Sequence, residues 1–319
     1  MNNYFLFFKY LFVRIAILIT ILYFFDFFCK LILNKTNYEP YNQWNFVENK
    51  NRTNDYYETI IIGSSIAEVG FNTSILKQNT NKIYNLGISG YHFPMIKFKY
   101  DLYKENNSHP KNLIIVLDYN FFKKETKAYE LKQFSSKLND SSYSYIFNEY
   151  ENYDIINKTI PFVRFIDNFD DVIKSLFFMQ STHKIKINGF FPKKMTWDYK
   201  FDSFKKNNPN GVNFEIDKVI LEQFYDFLAD EILNNVNVSI VIPPFYKELY
   251  PLINNLNSIH SIYNTISDKY GIRLYDFSDS YITDNKDLFY NSLHLNQEGA
   301  TIFSNELHNK LNENSSFIR

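Results

Sequence analysis

Four short segments of the chain carry hydroxyl, imidazole and amide groups in an order that suits acyl transfer. The run Ile60-Ile61-Ile62-Gly63-Ser64-Ser65 is apolar and ends in a glycine and two serines. A serine in a tight strand-to-helix turn projects its hydroxyl past the sheet edge, beside free backbone N–H groups. Ser65 therefore reads as a nucleophile, with its own N–H as an oxyanion donor. The segment Asn85-Leu86-Gly87-Ile88-Ser89-Gly90 follows a second apolar run, and its glycines allow close backbone approach, so the Gly90 N–H can point into the space above Ser65. Leu117-Asp118-Tyr119-Asn120 offers the Asn120 amide as a further donor. The segment Asn291 to Ala300 places His294 in a loop before a helical pattern, where it could take the Ser65 proton. Taken alone, Gly-Ser-Ser after a strand is more often a plain turn; the order of the four segments gives the signal its weight.

Short β-branched runs supply the supports: 59–62, 82–86, 113–117, 238–242 and 272–275. Helical patterns fit 73–79, 94–105, 216–234, 251–270 and 297–311, the first capped by Asn72 or Thr73. Continuous apolar strands separated by helices predict an α/β fold, a doubly wound and mainly parallel five-stranded sheet in three layers. The stretch 121–212 breaks the alternation and reads as a large insertion after the third strand, set over the carboxyl edge where such sheets bind ligands. Its basic cluster, His183-Lys184-Ile185-Lys186 with Lys193-Lys194, could meet an anionic polymer, although a solvated hairpin face is the simpler reading.

The chain has 319 residues, ample for a sizeable core. Its 34 Lys+Arg against 35 Asp+Glu leave a net charge of −1, so no global field favours nucleic acid. The single cysteine, Cys29, lies in the apolar N-terminal stretch, which excludes a Cys nucleophile or Cys-ligated zinc in the rest. His109, His183, His260 and His308 lack metal-ligand spacing, and His92 reads as a packed or solvated loop residue. No metal or cofactor is implied. Residues 10–33 would span about 35 Å as a helix, about the thickness of a bilayer core. Asp26 and Lys30 can pair at i,i+4 spacing while Arg14 snorkels. The expected organisation is an anchor over 1–34, a linker over 35–55 and a catalytic domain over 56–319. A cleaved signal peptide lacks its small-x-small site, a buried amphipathic helix is the bland alternative, and Lys30 with Lys35 leaves the orientation open.

These blocks resemble the SGNH/GDSL hydrolase superfamily, whose Gly-x-Ser, Ile-Ser-Gly, Gly-x-Asn and Asp-x-x-His-Leu motifs fall here on Ser65, Gly90, Asn120 and His294. The resemblance implies a nucleophile, two oxyanion donors and a general base at those positions. Asp118 stands where the family usually has glycine. Asn291 stands where it has the triad Asp, and that leaves three readings open: Asn291 steers a Ser65–His294 dyad, another carboxylate such as Asp287 or Asp284 serves, or the domain is catalytically weak. An anchored SGNH domain with a large insertion is similar to cell-envelope proteins that O-acetylate exopolysaccharides or carry D-alanine to teichoic acids. This implies a bacterial cytoplasmic-membrane protein with its catalytic domain outside, an acyl-bearing glycan substrate and a multi-spanning acyltransferase partner. Deacylation of a glycan or lipid, and glycan or partner binding without turnover, are the alternatives.

Overall fold

The computed structural model describes residues 2–49, 57–77, 82–149, 155–178 and 186–315. Chain order runs α1 (Asn2–Leu33), α2 (Asn42–Glu48), β1 (Thr59–Ile62), α3 (Ser65–Gly70), α4 (Thr73–Leu76), β2 (Ile83–Asn85), α5 (Phe93–Asn106) and β3 (Asn112–Val116). There follow α6 (Ser144–Glu149), α7 (Ile155–Thr159), α8 (Phe169–Phe178), α9 (Lys200–Asn207), α10 (Lys218–Leu233) and β4 (Asn237–Ile242). The chain then forms α11 (Leu256–Tyr270), β5 (Arg273–Asp276), β6 (Phe289–Asn291), β7 (His294–Leu295) and α12 (Gln297–Ser315). Two compact units result, one of Met1–Phe46 with Thr126–Lys184, the other of Val47–Glu125 with Ile185–Arg319.

The second unit holds the expected α/β sheet. Its five strands are all parallel in the order β2-β1-β3-β4-β5, with Ile61 opposite both Asn85 and Ile114. All four residues of β1 are buried, as continuous apolar strands of a sheet covered on both faces must be. The covering helices dock through aromatic contacts. Phe93 at the start of α5 meets Phe224 of α10 at 5.0 Å, and Phe71 after α3 meets Phe303 of α12 at 5.0 Å. From β1 the chain crosses to β2 on one side and later to β3 on the other. The carboxyl ends of β1, β2 and β3 therefore flank the switch point where open α/β sheets form a crevice.

The helix expected over 251–270 begins only at Leu256, after a 3-10 turn over Lys247–Leu252 that contains Pro251. Proline removes an N–H and cannot sit inside an α-helix without cost. The helix expected from Ile216 starts at Lys218 because the Asp217 carboxylate caps it, accepting from the N–H groups of Val219 and Ile220. Asn72 caps α4, which is a single turn; residues 78 and 79 of the expected helix lie outside the described residues. The segment around His294, expected as a loop, is a small antiparallel ribbon of β6 and β7.

In the first unit, α1 is apolar and long enough to cross a membrane. Its last turns pack through Cys29, Ile32 and Leu33 onto Tyr41, Phe165 and Val172. The expected Asp26–Lys30 pair gives way to a stronger partner. Arg164 grips the Asp26 carboxylate with two guanidinium nitrogens, and the Phe162 N–H adds a third bond at 2.9 Å. A planar fork matches a carboxylate in a way a lysine one turn away on the same helix does not.

Candidate functional site

Ser65 is the first residue of α3, at the carboxyl end of β1. The turn before it is tight. A Cβ on Gly63 would lie 2.7 Å from Ala67 Cβ and 2.9 Å from Val116 Cβ, so only glycine fits without displacement. The two adjacent serines have different tasks. The Ser64 side chain is buried, donates to Asp118 Oδ2 at 2.5 Å and caps α3 by accepting the Ile66 N–H. Ser65 is partly exposed and its Oγ lies 2.7 Å from His294 Nε2.

The ring of His294 is oriented by Asn291. Asn291 Oδ1 accepts from the N–H groups of Leu293 at 3.0 Å and His294 at 2.9 Å, and lies 2.9 Å from His294 Nδ1. An amide atom that receives two backbone N–H groups must be the oxygen, and that oxygen can only accept. Nδ1 therefore carries the proton and donates it to Asn291, which leaves the Nε2 lone pair facing Ser65. Tyr290 stacks on the imidazole at 5.2 Å between ring centres. The other carboxylates considered from sequence are elsewhere: Asp284 pairs with Lys247 at 2.7 Å, and Asp287 is exposed.

Burial pushes the His294 imidazole down to about 4, with the negative charge of Glu68 pulling upward and the positive charge of the Lys193 ammonium pushing further down. The ring is thus neutral, and able to accept a proton, from mildly acidic pH upward.

Gly90 and Asn120 follow β2 and β3, the strands on either side of β1, at the same edge of the sheet. Gly90 adopts φ 81°, a left-handed turn position. Among the described residues, neither the Ser65 N–H nor the Gly90 N–H is taken by a protein acceptor. The Asn120 backbone N–H donates to Asp118 Oδ1 at 2.8 Å. Asp118 is fully enclosed, and burial raises its carboxyl above the ordinary range while the bonds from Ser64 and Asn120 oppose this. It ties Ser64, the residue before Ser65, to the loop that carries Asn120.

Sequence reasoning missed Glu68, one turn after Ser65. Its carboxylate is buried, accepts from the Ser89 hydroxyl and pairs with Lys186 Nζ at 2.6 Å. Burial raises its pKa, but the Lys186 ammonium outweighs this and holds Glu68 ionised. The solvated-hairpin reading of the basic cluster fails for Lys186, whose side chain is only 10% exposed. His183, Lys184 and Ile185 lie outside the described residues. The i,i+3 spacing of Ser65 and Glu68 was the available signal; nothing local marks Lys186 as its partner. The segment after Lys186 is pinned to the segments that carry Ser65 and His294. The Phe191 N–H donates to Glu68 O at 2.9 Å, and the Gln297 N–H donates to Lys193 O at 2.9 Å. Lys193 Nζ sits 3.8 Å from the centre of the Phe191 ring and has no carboxylate partner among the described residues. His92 precedes α5 with its Nδ1 buried and unpartnered among the described residues, and has no bond to Ser65 or His294.

No family model matches the chain, and no curated protein matches it. Among solved structures, a Streptococcus pneumonia chain described as a candidate platelet activating factor is similar over 84% of this chain and 90% of its own length, at 13% identity and a TM-score of 0.40.

The neutral partner on Nδ1 gives a titration test. In the full-length chain with labelled histidine, NMR should show His294 protonating near pH 4. Asn291→Asp places a negative charge beside the ring and should move that midpoint upward by about 1–3 pH units. An unmoved midpoint would show that position 291 does not face Nδ1.

Proposed function

We propose that the chain is an SGNH/GDSL-type serine enzyme that transfers acyl groups through an acyl-Ser65 intermediate. The observation that carries this reading is the 2.7 Å contact between Ser65 Oγ and a His294 Nε2 whose lone pair is aimed by Asn291. The Ser65 oxygen attacks the ester carbonyl as its proton moves to Nε2. The oxyanion is received by the N–H groups of Ser65 and Gly90 and the Asn120 amide. Collapse breaks the ester C–O bond, and the imidazolium returns its proton to the leaving alkoxide. An acceptor hydroxyl then repeats the steps in reverse, with His294 again as base.

Asn291 lacks the charge of a triad carboxylate. In the serine-protease triad, an Asn at this place costs about 10⁴ in kcat because it selects the wrong tautomer. Here two backbone N–H groups hold the oxygen toward Nδ1, so the tautomer is correct and only the charge is missing. The charge of Glu68 supplies part of that field from a distance. Neither Asp284 nor Asp287 is needed as the orienting group.

The reading extends to O-acylation, chiefly O-acetylation, of a bacterial surface glycan at the cytoplasmic membrane, with α1 as anchor and a multi-spanning acyltransferase as acyl supplier. Support comes from α1 and from Lys193, whose ammonium, without a carboxylate partner among the described residues, favours acceptors that carry a carboxylate or phosphate. Deacylation of such esters uses the same intermediate with water as acceptor.

Treatment of the full-length protein with a fluorophosphonate probe should give one adduct, on Ser65. Ser65→Ala should abolish it, while Ser64→Ala should keep it and lose roughly 2–4 kcal/mol of stability, from the helix cap and from the buried Asp118 carboxylate left with one donor fewer. Equal labelling of the two variants contradicts the assignment, and a folded wild type that never labels favours a binding role. Between two model esters that differ only by a remote anion, Lys193→Gln should reduce the preference for the anionic one roughly 3–10-fold, the equivalent of about 1 kcal/mol. An unchanged ratio removes Lys193 from substrate selection.

A further inference from the structure

The helix α8 is built inside out for a protein surface in water. Its buried residues are Asp171, Val172 and Ser175, whereas Phe169, Ile173, Leu176 and Phe177 are exposed, Phe177 by 79%. At 3.6 residues per turn these four apolar side chains fall within an arc of about 100°. Ile166, in the 3-10 turn just before α8, continues the patch at 58% exposure. Polar groups turn inward, and Asp171 and the Asn168 amide nitrogen find partners there. Asp171 Oδ2 takes the Lys132 ammonium at 3.0 Å and the Tyr41 hydroxyl at 3.2 Å, and Asn168 Nδ2 donates to Tyr41 Oη and Ser135 Oγ, both at 2.8 Å. A surface helix in water shows the reverse arrangement.

The occupant of this face is indicated by α1, in the same unit. A bilayer core about 30 Å thick takes about 20 helical residues, so α1 is long enough to cross it by Asp26, with the Arg14 side chain inside the span snorkelling toward the N-terminal headgroups. The Asp26–Arg164 pair then falls at the end of the span, where charge is tolerated. The remaining turns of α1 dock through Cys29, Ile32 and Leu33 against Phe165 and Val172, the latter a residue of α8. Their other side stays apolar and exposed, with Phe27 at 64% and Leu31 at 37%. Exposed Asp170 and Lys174 border the apolar arc of α8, as polar groups do at a headgroup layer.

We propose that α8 lies in the bilayer interface beside the end of α1, with Ile166, Phe169, Ile173, Leu176 and Phe177 facing the acyl chains. This unit then holds the membrane by a spanning helix and an interfacial helix together. The inference rests on α1 crossing the membrane and is independent of the chemistry at Ser65.

The test uses the full-length chain with Cys29→Ala, alone in vesicles of phosphatidylcholine and phosphatidylglycerol. Single cysteines at Phe12→Cys, Asp170→Cys and Phe177→Cys carry a nitroxide label, and collision with oxygen is compared with collision with a water-soluble nickel chelate. The label at 177 should resemble the one at 12, with oxygen access high and nickel access at least several-fold below that at 170. Nickel access at 177 equal to that at 170 overturns the proposal. Low access to both reagents at 177 also overturns it, because the face is then covered by protein. Nickel access at position 12 would show instead that α1 does not span, and both readings would fall.

Discussion

The amide oxygen of Asn291 is the point on which the site depends. It accepts from two backbone N–H groups and from the imidazole of His294, all within one short ribbon. The backbone donors fix the amide, the amide fixes the tautomer, and the tautomer leaves a lone pair on Nε2 for Ser65. A carboxylate at this position would add charge stabilisation for the imidazolium. The amide keeps the enclosed imidazole neutral without bringing a second ionised group into a poorly solvated place, where uncompensated charge is costly. The neutral arrangement leaves His294 with its depressed proton affinity, so at neutral pH the ring is free to accept a proton and holds it weakly.

Around this point the site is held by ionic contacts inside the protein. Glu68 and Lys186 form a pair with almost no solvent, and the Ser89 hydroxyl donates to the same carboxylate. Such pairs contribute little net stability compared with apolar packing, but leaving one member alone is severe. Their effect here is positional. The pair ties the turn of α3 behind Ser65 to the segment that continues through Phe191 to Lys193 and is clamped to Gln297, just past His294. Gly87 allows the closeness: a Cβ there would lie 2.5 Å from the Glu68 backbone nitrogen. The segments bearing Ser65, Ser89 and His294 are therefore linked to one another through Glu68, Lys186 and the segment that follows it.

Much of this was legible in the sequence because it is local. Each strand lies in a short run of aliphatic or aromatic residues, and the five were found within two residues of their ends. Ser65 and His294 were visible as residues that follow or precede such elements in a fixed order, and Asn291 stood out by its spacing from His294. What was not legible depends on residues far apart in the chain. No periodicity announces that Lys186 will reach Glu68, or that Arg164 will displace Lys30 from Asp26. The inward polar face of α8 was hidden for the same reason, since its partners Tyr41, Lys132 and Ser135 come from three other places. The helix expected from Pro251 starts five residues later, because Pro251 is taken up in the 3-10 turn that precedes it.

A neutral amide, that of Asn291, sets the tautomer of His294. Nitrogen-15 NMR of the full-length chain with labelled histidine reads this directly at neutral pH. The account predicts that His294 carries its proton on Nδ1, with Nε2 bare, and that this single form is lost when Asn291 is replaced by Leu. A wild-type His294 protonated on Nε2, or one that is fully protonated at neutral pH, would contradict it.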